Sequence, residues 1–209
     1  MTEPEVRRQH PDIEPVGFSV VMATRDRAHC VSDAIASILA QSHTTWELII
    51  VDDFSQDGTA ELIADRFGAE VASGRIIYIR SDEPLGVSRA RNLGLARAKH
   101  DWIAYIDSDN KVRPYFLSLF AQAIREDSDR DSFYAQFCTS RSGKVLGRPF
   151  SFETLLKGNF IDLGAFVHRR RLAGEKGGFD EALTRLVDWD LVLRYTRDKP
   201  PSFLRHVVL

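Results

Sequence analysis

Between residues 18 and 124 a short apolar run, a polar turn and a stretch with apolar residues three and four apart recur four times. "FSVVMAT" (18–24) reads as a buried strand, and "VSDAIASIL" behind it sets Val31, Ala34, Ile35, Ile38 and Leu39 on one helical face. "WELIIVDD" (46–53) is again strand-like, followed by a helix whose apolar face is Ala60, Ile63, Ala64 and Phe67 and which Asp57 can cap. "RIIYIRS" (75–81) precedes "GVSRARNLGLARA", where Ala90, Gly94 and Ala98 form a smooth stripe that lets a helix lie close to a sheet. "WIAYID" (102–107) precedes Phe116, Leu119, Phe120, Ala123 and Ile124 at helical spacing. Strands apolar on both faces, alternating with amphipathic helices, predict an α/β fold with a mostly parallel sheet covered on both sides.

Beyond about residue 130 the rhythm changes. "SFYAQFC" and "LGAFVHRR" read as strands, "SFETLLKG" and "DWDLVLRYTR" as helices, and the glycine-rich "AGEKGGFDEAL" as a loop. This half is expected to extend the same sheet and to form a second lobe. The final "PSFLRHVVL" is strand-like and stops without a closing turn, which leaves a natural and a truncated end both open.

The chain has 209 residues and 44 % hydrophobic content, enough for the core of one large domain or two small ones. Its 28 basic and 30 acidic residues give a formal charge of -2, so no global field draws it to nucleic acid. Cys30 and Cys138 lack the spacing of a zinc site and are too few for a disulfide framework. The first residues carry no signal-peptide pattern, and no run of eighteen apolar residues occurs. The cytoplasm is the expected compartment, and peripheral attachment to the inner face of a membrane stays open.

Composition leaves the chemistry to the strand ends, where ligands bind in an open α/β sheet. "TRDR", "DDFSQDG", "SDEPLG" and "DSDN" follow the first four strands, and three of these clusters hold at least two acids: Asp52, Asp53, Asp57, Asp82, Glu83, Asp107 and Asp109. Acids after strands often cap the next helix, which suits Asp57. For Asp107 and Asp109 a helix starting near Pro114 begins too late. Two carboxylates this close repel unless a cation lies between them, and a divalent metal bridging to phosphate oxygens would satisfy both.

"FSVVMATRDR", "WELIIVDDFSQDGT", "GVSRARNLGLARA", "WIAYIDSDN", "GGFDEAL" and "DWDLVLR" occur in the order and at roughly the spacing of the inverting glycosyltransferases of family 2, and residues 18 to 198 resemble that family. The resemblance implies the GT-A fold, a Rossmann-like doubly wound sheet with an acceptor-side extension. A polar tail (1–17) then precedes one domain (18–209), divided into a nucleotide-sugar-binding half (18–112) and an acceptor-binding half (113–209). It also implies transfer of a sugar from a nucleotide-diphospho-sugar, with UDP first among the donors, to an acceptor hydroxyl on a saccharide, lipid-linked sugar or small molecule.

The resemblance further implies roles for single residues. Thr24, Asp26 and Asp52 or Asp53 would hold base and ribose, with Asp52 at the base edge and Asp53 as nearby support. Arg91 would reach the nucleotide. Asp107 and Asp109 form the DxD motif for Mn2+ or Mg2+, Asp109 ligating directly and Asp107 contacting ribose or a metal-bound water. Asp188 stands at the position of the catalytic base, with Asp190 in reserve. Trp189 would wall the acceptor site or anchor the core, and Gly177 and Gly178 belong to a loop beside it. The chain departs from the family where Arg25 and Asp26 replace an aromatic and an asparagine, where Phe54 replaces a glycine, and where Val187 precedes Asp188 in place of an acid. His168 and His206 could complete a metal site, although a lone histidine in an apolar run is more often structural.

Rival readings attach to the same acids. A haloacid dehalogenase-type phosphatase also ends a strand in DxD, but near the start of its chain. A receiver-like signalling module would need the "VDD" pair after its first strand. A degenerate transferase that binds nucleotide-sugar without turnover would keep the donor residues and lose the base.

Overall fold

The computed structural model describes residues 15–139 and 143–209, so most of the tail expected over 1–17 lies outside the described residues. The first four strands are β1 (Phe18–Thr24), β2 (Trp46–Asp52), β3 (Ile76–Arg80) and β4 (Trp102–Tyr105). They pair in parallel in the order β3-β2-β1-β4. The helices between and after them are α1 (Val31–Leu39), α2 (Thr59–Ala72), α3 (Val87–Arg97) and α4 (Phe116–Glu126). The second half adds β5 (Ser132–Cys138), β6 (Val145–Leu146), α5 (Phe152–Lys157), β7 (Phe166–Arg169), α6 (Arg171–Lys176), α7 (Val187–Thr196) and β8 (Ser202–Val207). β7 inserts antiparallel between β4 and β5, and β8 runs parallel to β5, so the expected extension of one mixed, mostly parallel sheet is found.

β1, β2 and β4 are buried almost throughout and mostly apolar because each faces two layers. Alternate side chains leave a strand on opposite faces. Val20, Met22, Leu48 and Ile50 meet Ile35, Ile38, Ile63, Phe116 and Phe120 on one side. Val21, Ile49, Val51 and Tyr105 meet Ala90, Leu95, Leu191 and Tyr195 on the other. The small stripe on α3 does what its spacing predicts: a Cβ added at Gly94 would lie 2.6 Å from Val21 Cγ1. The close approach of α3 to β1 is therefore set by the missing side chain.

Several local expectations are corrected. "LGAFVHRR" is a strand only from Phe166, because Asp162 Oδ1 accepts the Gly164 N–H at 2.8 Å and closes a 3₁₀ turn over Leu163–Ala165. The first part of "AGEKGGFDEAL" belongs to α6, which buries Leu172 and pairs Arg171 with Glu175 at 2.7 Å. α4 begins at Phe116 and not at Pro114. α2 starts after Gly58, at φ 86°, and Asp57 caps it from one position earlier by accepting the Thr59 N–H at 3.1 Å. Ala64 of the predicted apolar face is exposed. No helix among the described residues is long and apolar enough to cross a membrane.

His168 is fully buried in β7. Its Nδ1 lies 2.9 Å from the Arg169 carbonyl oxygen, which only accepts, so Nδ1 carries the proton and Nε2 accepts from the Tyr105 hydroxyl at 3.0 Å. With both ring nitrogens engaged, His168 is a core residue and not a metal ligand, while His206 lies exposed on β8. Burial lowers the His168 pKa to about 4.

Two outcomes follow from this packing. Gly94→Ala drives a methyl into Val21 and lowers stability by about 1–3 kcal/mol in urea denaturation. The neutral imidazole of His168 is lost from the fold as pH falls from 6.5, its unfolded value, through about 4. The unfolded chain binds the proton first in that window, so wild type loses about 3 kcal/mol relative to His168→Gln between those limits, measured by denaturation at each pH.

Candidate active site

A cavity of about 420 Å³ opens at the carboxyl ends of β1, β2 and β4, against the start of α3. Its wall includes Thr24, Arg25, Asp53, Gly86, Asp107 and Asp109. Thr24 is 3 % exposed, yet among the described residues its hydroxyl has no hydrogen-bond partner, and neither has that of Ser88 in the first turn of α3. Buried hydroxyls are normally satisfied, so an unpaired one in a cavity wall marks a place for a polar ligand.

The adjacent acids of "VDD" divide according to the parity of β2. Asp52 shares the face of Leu48 and Ile50 and is completely buried. Its Oδ1 accepts the Ser55 N–H at 2.8 Å and its Oδ2 accepts the Tyr78 hydroxyl at 2.6 Å, so it lies outside the cavity wall and shapes the turn. Asp53 shares the face of Val51 and reaches the cavity. Its carboxylate accepts the Leu85 N–H and, at 3.0 Å, the Gly86 N–H, which fixes the start of α3, and it faces Arg25 Nη1 at 3.6 Å. The order expected for the pair, Asp52 at the ligand and Asp53 in support, is thus reversed in position. Asp26 also stays out of the wall: at φ 52° it accepts the Gln56 N–H at 2.8 Å and joins the loops after β1 and β2.

Beyond Asp107 the site continues to a buried arginine. Arg91, 6 % exposed on α3, donates from Nη2 to Asp107 Oδ1 at 2.8 Å and from Nη1 to Asp188 Oδ1 at 2.5 Å. Its guanidinium also lies 5.2 Å from the Phe179 ring centre. Asn92 next to it holds Phe179 at both backbone groups, accepting its N–H at 2.8 Å and donating to its carbonyl at 2.9 Å. "ARN" therefore ties α3 to the "GGFDEAL" segment and to the start of α7. Burial raises the Asp188 pKa, with Arg91 opposing and Asp107 adding to the rise.

The reserve residue Asp190 points into a different contact. It accepts from Arg194 Nε at 2.9 Å and Nη2 at 2.7 Å, and the rest of that guanidinium holds the carbonyls of Lys176, Gly177 and Gly178. Gly177 sits at φ 80°, and a Cβ at Gly178 would lie 2.4 Å from Asn92 Oδ1, so the two glycines serve conformation and close approach. Trp189 donates from Nε1 to the Leu155 carbonyl at 2.8 Å and packs on the second apolar layer, the part of an anchor between α7 and α5.

One acid escaped the sequence reading. Burial raises the Asp162 pKa, and the carboxylates of Asp107 and Asp188 raise it further, against Arg91. It stands in "FIDLG" directly after an apolar run, the same strand-end signal used elsewhere, but in the half where no clear rhythm framed it.

Residues 19–170 match the model of "Glycosyl transferase family 2". The chain belongs to glycosyl transferase family 2. It is 32% identical over 163 residues to the putative teichuronic acid biosynthesis glycosyltransferase TuaG of Bacillus subtilis (strain 168), covering 75% of this chain and 64% of that one. To the succinoglycan biosynthesis protein ExoO of Rhizobium meliloti (strain 1021) it is 39% identical over 193 residues, covering 83% and 54%. Among solved structures it resembles S. aureus TarS 1-349 in complex with UDP (TM-score 0.75, 20% identity, 92% of this chain and 59% of that one). It also resembles the mannosyltransferase PcManGT from Pyrobaculum calidifontis in complex with GDP-Man and Mn2+ (TM-score 0.67, 18% identity, 91% and 54%). These likenesses establish the GT-A fold. The chain spans about half to two thirds of the length of the curated relatives it matches.

Membership of family 2 sets aside the phosphatase and receiver readings of the same acids. It also gives a physical meaning to one departure. Phe54, expected from the resemblance to stand where glycine is usual, adopts φ 61°, a left-handed conformation that costs a side-chain-bearing residue about 1–2 kcal/mol, and its ring joins neither apolar layer. Phe54→Gly is expected to gain about 0.5–1 kcal/mol net of glycine's added unfolded-state freedom. Phe54→Val loses stability in the same denaturation assay, since a β-branched residue fits that backbone least.

Proposed function

We propose that the chain is the catalytic domain of a metal-dependent inverting glycosyltransferase that moves a sugar from a nucleotide-diphospho-sugar to an acceptor hydroxyl. The observation that carries the reading is the line of Thr24, Asp53, Asp107, Asp109, Arg91 and Asp188: an unsatisfied polar cavity at one end and a carboxylate held by a buried guanidinium at the other. Uridine is the donor base assigned, on the likeness to TarS, whose structures hold UDP and UDP-GlcNAc.

The residues fit a hard divalent cation. Asp109 is exposed in the cavity wall and makes no hydrogen bond or ion pair among the described residues, and Asp107 keeps Oδ2 free while Oδ1 bonds Arg91. No group of three or more His, Cys, Asp or Glu side chains gathers for a metal among the described residues, which suits an ion completed by diphosphate oxygens and water. Mn2+ or Mg2+ held by Asp109 and Asp107 would neutralise the charge that develops on the departing diphosphate.

Asp188 does the proton chemistry. It takes the proton of the acceptor hydroxyl as that oxygen bonds to the anomeric carbon and the bond from carbon to diphosphate oxygen breaks on the opposite face. Arg91 aims the carboxylate and favours its ionised form against burial. Thr24 and Asp53 offer an orphan hydroxyl and a fixed carboxylate to the nucleoside end.

Donor turnover with water or an added acceptor tests the roles separately. Asp109→Ala loses Mn2+-dependent UDP binding. Asp188→Asn binds UDP as wild type does and loses turnover by about 10³-fold. Unchanged turnover in Asp188→Asn would remove Asp188 from the mechanism.

A further inference from the structure

We infer that Asp162 is a specificity-determining residue that accepts a hydrogen bond from a hydroxyl of the transferred sugar. This rests on the donor-site reading above. β7 lies antiparallel beside β4, with Val167 opposite Ala104, so the turn before β7 stands at the carboxyl end of β4, next to Asp107. Asp107 and Asp188 are joined there by one guanidinium. Arg91 spends Nη2 on Asp107 and Nη1 on Asp188 and makes no bond to Asp162.

Asp162 Oδ1 accepts the Gly164 N–H, and Oδ2 has no hydrogen-bond partner among the described residues. Asparagine or serine would cap that turn equally well. A further negative charge in a half-buried place, at the strand end that already carries Asp107, costs free energy. An unneeded, costly charge with a free oxygen points to a ligand that donates to it.

The position names the donor. In an inverting transfer the sugar lies between the diphosphate, at Asp107 and Asp109, and the base, Asp188. A group that feels both Asp107 and Asp188 borders that gap, and what a sugar presents there is hydroxyl groups. Independently of the acids, the cavity that borders this turn at Asp107 has in its wall the Thr24 hydroxyl, which has no hydrogen-bond partner among the described residues.

Calorimetric titration with Mn2+ present separates the possibilities. UDP is compared with UDP-glucose, UDP-galactose and UDP-N-acetylglucosamine, and GDP with GDP-mannose, on wild type and on Asp162→Asn, which keeps a capping oxygen and removes the charge. Asp162→Ser serves as a second variant of the same kind. Wild type is expected to bind one sugar nucleotide more tightly than its parent nucleotide. Both variants lose at least about tenfold of that increment while binding the parent nucleotide within about twofold of wild type. A sugar increment that is absent in wild type or unchanged in the variants overturns the role of Asp162 and leaves the donor site standing. Failure of wild type to bind either nucleotide overturns both.

Discussion

A single buried guanidinium holds the two halves of the site in register. Arg91 projects from α3 and bonds Asp107, just past the end of β4, and Asp188, in the first turn of α7 some eighty residues further on. Burying one partner of such an arrangement without the others would cost several kcal/mol, so the positions of α3, β4 and α7 are mutually required. The requirement reaches into the fold. Gly94 lets α3 lie against Val21, and Asp53 fixes the start of the same helix through Leu85 and Gly86. Asn92 pins the segment that leads to α7. A chain of small contacts therefore delivers one arginine to two carboxylates.

Backbone strain gathers around the same place. Asp26, Phe54 and Leu186 are the non-glycine residues with positive φ among the described residues, and they sit in the loops after β1 and β2 and at the residue before α7. Asp26 and Phe54 turn the chain sharply enough to bring the two strand-end loops together through Ser55 and Gln56. Leu186, 65% exposed, sets the direction in which α7 presents Asp188. Such conformations persist where surrounding contacts over-determine them, as the bonds of Asp52, Asp53 and Arg91 do here.

The first half of the sheet was legible in the sequence because β1, β2 and β4 are buried on two faces and leave continuous apolar runs, and because the helices that alternate with the first four strands are long enough to show a period. α6 was not, since six residues carrying one glycine and one buried leucine give no period to see. β6, two residues long, gave no signal either. The strand-end acids were legible as a set, but their individual placement depended on strand parity. Asp52 continues the phase of Leu48 and Ile50 toward α1 and α2, and Asp53 the phase of Ile49 and Val51 toward α3, a distinction available from the alternation once the faces are assigned. Asp162 was missed for another reason. Its neighbourhood with Asp107 and Asp188 arises from β7 inserting antiparallel beside β4, a pairing no local pattern announces.

Asp107 and Asp109 are proposed to hold a divalent cation on a nucleotide diphosphate in the cavity at the ends of β1, β2 and β4. Anomalous diffraction at the manganese edge, from crystals grown with UDP and Mn2+, locates that ion directly. The account predicts one strong peak bonded to Asp109, with the UDP diphosphate on its far side and the uridine toward Thr24 and Asp53. A manganese peak elsewhere, or UDP seated in this cavity with no metal against Asp109, would contradict it.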